Sequence, residues 1–122
     1  MQTRQRKILV VDDEPDILEF LQELLELEGY SVTTTKKSDY LETLSNGEMP
    51  DLILLDVFLS GKDGREIVKH LKGQQETRYI PVLMFSAHPS AEETALAAGA
   101  DAFLAKPFEI DELLAKIAHY TL

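Results

Sequence analysis

Four apolar runs punctuate this chain: Ile8-Leu9-Val10-Val11, Leu52-Ile53-Leu54-Leu55, Val82-Leu83-Met84-Phe85 and Ala102-Phe103-Leu104-Ala105. Between them lie longer segments whose apolar residues fall at helical spacing. Uninterrupted runs of that length, separated by helix-like segments, read as parallel strands buried on both faces. The first strand is predicted over Lys7 to Asp12. A helix over Asp16 to Glu28 follows, with Ile17, Phe20, Leu21, Leu24 and Leu27 at helical spacing. Pro15 suits its first turn, where an N–H is not needed. Asp13, Glu14 and Asp16 complement the helix dipole, and Gly29 can cap the far end.

Tyr30 to Thr35 is rich in β-branched residues and reads as a half-exposed strand. Ser38 opens a short helix through Leu44, stopped by Asn46-Gly47. The third strand is Asp51 to Asp56, followed by a loop over Leu59 to Gly64. A helix over Arg65 to Lys72 turns Ile67, Val68 and Leu71 to one face, and the fourth strand is Ile80 to Phe85. Ser90 starts a short helix over Ala91 to Ala98, closed by Gly99. It is alanine-rich and so weakly anchored. Asp101 to Ala105 is the fifth strand. The last helix, Glu109 to Tyr120, sets Ile110, Leu113, Leu114, Ile117 and Ala118 toward the core. This strict alternation predicts a (βα)5 α/β domain: a doubly wound, five-stranded parallel sheet with helices on both faces and right-handed crossovers.

Each apolar run ends on polar or charged residues: Asp12-Asp13, Asp56, Ser86 and Lys106-Pro107. Singly, each has a plain reading as a helix-start acid, a loop aspartate, a turn serine or a surface lysine. Together they differ, because in an open parallel sheet ligands bind at the carboxyl ends of the strands. Three carboxylates at one place repel unless a cation is present, and Lys106 brings one positive charge. Hard oxygen donors without His or Cys suit Mg2+. Mg2+, an ammonium, a hydroxyl and carboxylates make a phosphoryl-transfer site, in which a carboxylate can be the nucleophile. Asp56 stands alone on its strand end and is assigned as phosphoacceptor; the Asp12-Asp13 pair suits the metal.

Composition narrows the partners. The net charge of −10 and the pI near 4.6 argue against direct nucleic-acid binding and against anionic membrane surfaces. The chain has no cysteine, hence no disulfide and no thiolate chemistry, which fits a reducing compartment. The basic start Met1-Gln2-Thr3-Arg4-Gln5-Arg6-Lys7 precedes an apolar run too short for a signal peptide. No segment approaches membrane-spanning length. The expectation is a soluble cytoplasmic protein without membrane insertion.

These pieces resemble the receiver domain of two-component response regulators. The resemblance runs from about Lys7 to Ile117. It rests on Ile8 to Pro15, Asp51 to Asp56, Asp63-Gly64, Pro81 to Ala87 and Ala98 to Phe108, in that order. It implies strand order 2-1-3-4-5 and a single receiver domain over residues 1–122, with no output domain. It also implies a phosphoryl group delivered to Asp56 by a sensor histidine kinase or a histidine phosphotransfer protein. Asp13, Asp56 and the Phe58 carbonyl would ligate Mg2+ directly and Asp12 mostly through water. Lys106, Ser86 and Ala87 would hold the phosphoryl oxygens. Ser86 would move toward them and Phe103 would turn inward, remodelling the surface around the fourth helix, fifth strand and fifth helix for a downstream target. The Lys106–Pro107 bond would be cis. The resemblance also allows a phosphorylation-dependent dimer, and it makes the domain a phosphoacceptor rather than an enzyme with a diffusible substrate.

The chain departs from the common pattern in places. Many receivers have Pro where this one has Ser60, which predicts a looser loop. The switch residues are Ser86 and Phe103 rather than Thr and Tyr, and the stretch from Ser86 to Gly99 is short. Phe58 and His88 each lie two residues past a site residue. Phe58 is expected either to shield the phosphoryl group from water or to pack against the first helix; His88 is expected at the surface. Three other readings were weighed. A small Mg2+-dependent phosphohydrolase with an aspartyl nucleophile usually has Asp-x-Asp after its first strand, and this chain has adjacent aspartates. A flavin or dinucleotide binder lacks support because no Gly-rich loop follows that strand. A receiver-like module that is never phosphorylated fits poorly with an intact acidic set.

Overall fold

The computed structural model describes residues 5–43 and 49–122. In chain order its strands and α-helices are β1 (Lys7–Val11), α1 (Pro15–Leu27), β2 (Ser31–Thr35), β3 (Leu52–Asp56), β4 (Phe58–Leu59), β5 (Lys62–Asp63), α2 (Gly64–Gly73), β6 (Val82–Ser86), α3 (Glu92–Ala98), β7 (Ala102–Ala105) and α4 (Ile110–Tyr120). Five strands pair in parallel in the order β2-β1-β3-β6-β7. This is the expected 2-1-3-4-5 order once the small β4–β5 hairpin is set aside.

Side chains alternate across each strand, so the apolar runs feed two cores at once. Leu9, Val11, Ile53, Leu55, Val82, Met84 and Phe103 face Val68 and Leu71 of α2 and Ala95 of α3. Ile8, Val10, Leu52, Leu54, Leu83, Phe85 and Leu104 face Leu18, Leu21 and Leu25 of α1 and Leu113 and Ile117 of α4. β1, β3 and β6 lie inside the sheet and are almost wholly buried; β2, at one edge, is half-buried.

The helix faces differ from the expected stripes. In α1 the buried stripe is Leu18, Leu21 and Leu25, whereas Phe20 is half-exposed and Leu27 is 85% exposed. In α4, Ile110 and Ala118 are exposed, and Leu113 and Ile117 carry the burial. Both helices have more apolar residues than one face holds, so spacing alone permits a stripe rotated by one position. The helix expected from Ser38 is a 3-10 turn over Ser38–Thr43; Leu44 and Asn46-Gly47 lie outside the described residues, as do Met1–Arg4. The expected loop Leu59 to Gly64 contains the second strand of the antiparallel β4–β5 hairpin. The helix expected at Ala91 begins at Glu92, after a 3-10 turn over Pro89–Ala91. No described helix is long and apolar enough to cross a membrane.

One close approach sets the carboxyl end of β3. The Gly64 N–H donates to the Val57 carbonyl at 2.6 Å. A Cβ at Gly64 would overlap the Asp56 carbonyl oxygen and lie 2.9 Å from both the Val57 carbonyl oxygen and Met84 Cε. Only glycine lets α2 start against the end of β3. Gly64→Ala is expected to destabilise the fold by about 1–3 kcal/mol, the usual cost of overpacking. Urea denaturation checks this, and an unchanged midpoint would contradict it.

Candidate functional site

Register alone brings the candidate residues together. Val11 pairs with Leu55, so Asp12 and Asp56 end neighbouring strands. Asp56 pairs with Phe85 and Ser86 with Ala105, which sets Ser86 and Lys106 alongside. The Lys106 ammonium donates to Asp12 Oδ2 at 3.0 Å, Asp56 Oδ2 at 3.5 Å and Glu14 Oε1 at 3.5 Å. It also lies 5.0 Å from the centre of the Phe85 ring. Asp12 is fully buried and Asp56 nearly so.

Each carboxylate is aimed by its own loop. Asp12 Oδ1 accepts the Glu14 N–H at 2.8 Å, fixing the turn into α1. Asp56 Oδ1 accepts the Phe58 N–H at 3.3 Å. Burial pushes the Asp56 carboxyl up to about 6; the Asp12 charge adds to this, while Lys106 and the Phe58 N–H oppose it. Burial works against the charge of Lys106, but the hydrogen bond to Asp12 and the charges of Asp56, Asp12 and Glu14 outweigh it and raise its pKa. One ammonium thus serves three carboxylates, and the site carries surplus negative charge.

Asp13 is turned elsewhere. Its Oδ2 accepts the Ser60 N–H from the hairpin loop. Among the described residues no three acidic, His or Cys side chains form a ready-made ion-binding cluster. The expected acidic set is therefore divided: Asp12 and Asp56 meet at Lys106, and Asp13 stands at the rim. The loop expected to be loose is a hairpin tied to Asp13, and Pro at position 60 would have no N–H to make that tie. The donors still fit a hard divalent cation. All are oxygens, and one ammonium facing three carboxylates leaves negative charge to spare.

Ser86 is buried; its Oγ accepts the His88 N–H at 3.0 Å, and its carbonyl accepts the Lys106 N–H at 2.9 Å. Ala87 and His88 are exposed. The Lys106–Pro107 peptide is cis, as the resemblance implies. Phe103 is only 9% exposed and packs in the core with Met84 and Ala95. The Phe58 ring, 44% exposed, meets His88 edge-on at 5.4 Å and lies 5.0 Å from the Arg65 guanidinium. Glu14, the Ser60 amide and Arg65 were not singled out from the sequence. Glu14 directly follows Asp12-Asp13, which was an available signal; the other two depend on the hairpin.

The response regulator receiver domain family model matches residues 8–118. The phosphate regulon transcriptional regulatory protein PhoB of Escherichia coli (strain K12) is 41% identical over 114 residues, covering 92% of this chain and 50% of that protein. The chain thus spans about half the length of the curated relatives it matches. The chemotaxis response regulator CheY4 of Vibrio cholerae superposes with a TM-score of 0.83 at 27% identity, covering 96% of this chain and 99% of that one. The response regulator TrrA of Thermotoga maritima, solved in complex with Mg2+-BeF, has a TM-score of 0.83 at 29% identity, covering 95% and 99%.

The raised Asp56 pKa has a consequence for folding. The folded state holds the Asp56 proton more tightly than the unfolded chain, whose carboxyl titrates near 3.8. Stability from this group is therefore full below that value, falls as pH rises to about 6 and stays lowered above it. Asp56→Asn is expected to stabilise the metal-free protein at pH 7.5 by up to about 3 kcal/mol, with the gain shrinking toward pH 4. Urea denaturation in chelator at several pH values reads this directly. A gain independent of pH would contradict it.

Proposed function

The chain belongs to the response regulator receiver domain family, and we propose that Asp56 accepts a phosphoryl group from the phosphohistidine of a sensor histidine kinase or phosphotransfer protein. A receiver domain is a two-component signalling module. The observation that carries the residue assignment is the Lys106 ammonium shared by Asp12 and Asp56 at the strand ends. A carboxylate oxygen of Asp56 forms the bond to phosphorus as the N–P bond to the donor imidazole breaks, and the imidazole leaves with a proton. The Phe58 N–H orients the carboxylate, and Lys106 neutralises the incoming phosphoryl oxygens. Ser86 Oγ accepts from His88, which leaves its own proton to donate to a phosphoryl oxygen; the Ala87 N–H is a second donor.

Asp12, Asp13, Asp56 and the Phe58 carbonyl are the residues that would hold Mg2+. When bound, the ion supplies the positive charge that the site lacks. To hold the ion, Asp13 would have to release the Ser60 N–H that its carboxylate accepts. Phosphorylation acts by shifting a population between packings of α3, β7 and α4, with Ser86 and Phe103 as the switch residues. That surface would be read by a downstream target, either an attached domain or a separate protein. Phe58 shields the phosphoryl group from water. The module would work in the cytoplasm, with self-catalysed phosphorylation and dephosphorylation as its only chemistry. Nothing in the family match supports a phosphohydrolase with a diffusible substrate.

Incubation with Mg2+ and acetyl phosphate, followed by intact-mass measurement, is expected to give one phosphoryl adduct that Asp56→Asn abolishes. No adduct, or one that survives the substitution, would overturn the assignment. The Ser60 latch predicts a second result. Ser60→Pro, which lacks the N–H, is expected to bind Mg2+ about 3- to 10-fold more tightly by calorimetry, whereas Ser60→Ala keeps the donor and stays near wild type. Equal affinities for all three proteins would contradict the latch.

A further inference from the structure

Arg65 sits at the start of α2 with every part of its guanidinium engaged. Nε donates to Asp63 Oδ1 at 2.9 Å and Nη2 to Asp63 Oδ2 at 2.8 Å, a two-pronged pair. Nη1 donates to Thr94 Oγ1 of α3 at 2.8 Å, and the Thr94 hydroxyl in turn donates to the Ala91 carbonyl at 3.1 Å. The guanidinium carbon lies 5.0 Å from the centre of the Phe58 ring. The same ring meets His88 edge-on, and the His88 N–H donates to Ser86 Oγ. Phe58 follows Asp56 by two residues and His88 follows Ser86 by two, so the two rings meet between the loops that leave β3 and β6.

We infer that Arg65 is a positioning residue that clamps Phe58 beside the acceptor and couples it to α3, so that the lifetime of a phosphoryl group on Asp56 depends on where α3 sits. The inference rests on Asp56 being the acceptor. In hydrolysis, a water oxygen bonds to phosphorus as the bond from phosphorus to the Asp56 oxygen breaks. The carboxylate leaves with the electron pair, and the water's protons pass to phosphate and solvent. A ring over that approach slows the step only while it stays in place. A half-exposed aromatic side chain held by nothing changes rotamer in picoseconds to nanoseconds. Here the cation–π contact holds one face, and the Asp63 fork holds the cation. Thr94 carries the tie onward. α3 is seven residues long and buries only small side chains, Ala95 and Ala98, so its apolar anchorage is slight and the Arg65–Thr94 bond links it to α2. By linkage, a partner that displaces α3 also alters the shielding of Asp56.

The test is the decay of phosphorylated protein, followed by intact mass in Mg2+ after the acetyl phosphate is removed. Phe58→Asn is expected to hydrolyse faster than wild type. Arg65→Gln is expected to hydrolyse about 2- to 5-fold faster, the factor that an exposed cation–π contact is worth. Thr94→Val, which keeps the Asp63 fork, is expected to move the rate in the same direction by less. In the Phe58→Asn background Arg65→Gln should add nothing, a non-additivity that a purely structural role would not produce. An unchanged or slower rate in Arg65→Gln, or the same acceleration in both backgrounds, overturns the clamp. An unchanged rate in Thr94→Val overturns the coupling to α3. Failure of the wild type to form an adduct overturns the acceptor assignment and this inference with it.

Discussion

The Lys106 ammonium between the buried carboxylates of Asp12 and Asp56 is the interaction on which this end of the molecule depends. Buried charges are costly unless paired and hydrogen-bonded, and these two acids reach the end of the sheet on adjacent central strands. One cation brought by the loop after the edge strand β7 makes their burial tolerable. It leaves the site with surplus negative charge, and burial, aided by the Asp12 charge and only partly opposed by Lys106, lifts the Asp56 carboxyl to about 6. In the function proposed above, a divalent cation would supply the charge that this site lacks.

The rest of the fold serves to hold that arrangement. Alternation along the strands builds two cores, one on each face, so the sheet cannot slip register without exposing both. Gly64 lets α2 begin directly against the carbonyl of Asp56, and Asp63 caps that helix by accepting the Arg65 N–H. Opposite Asp12, the hairpin after β3 presents the Ser60 N–H to Asp13 and Phe58 to His88. Backbone N–H groups thus hold both side chains in place, Ser60 at the Asp13 carboxylate and His88 at Ser86 Oγ.

Much of this was legible in the sequence, for a definite physical reason. Parallel strands buried on both faces have to be continuous apolar runs, so their polar ends stood out, and Asp12, Asp56, Ser86 and Lys106 lie where those ends place them. The helix faces were less legible. α1 offers Ile17, Leu18, Phe20, Leu21, Leu24, Leu25 and Leu27, and only packing into the core on this face of the sheet selects Leu18, Leu21 and Leu25 as its buried stripe. The division of Asp13 from the other acids was hidden because its partner is a backbone N–H, which a side-chain pattern does not report. Arg65 was hidden too, since its partners Asp63, Thr94 and Phe58 come from three different elements.

Carbon-13 NMR titration of the Asp56 carboxyl tests the central charge balance most directly. An apparent pKa of about 6 is expected in metal-free protein, with a fall on adding Mg2+ and a rise in Lys106→Met, where the opposing cation is gone. An Asp56 that titrates as an ordinary exposed aspartate, and responds neither to Mg2+ nor to loss of Lys106, would contradict it.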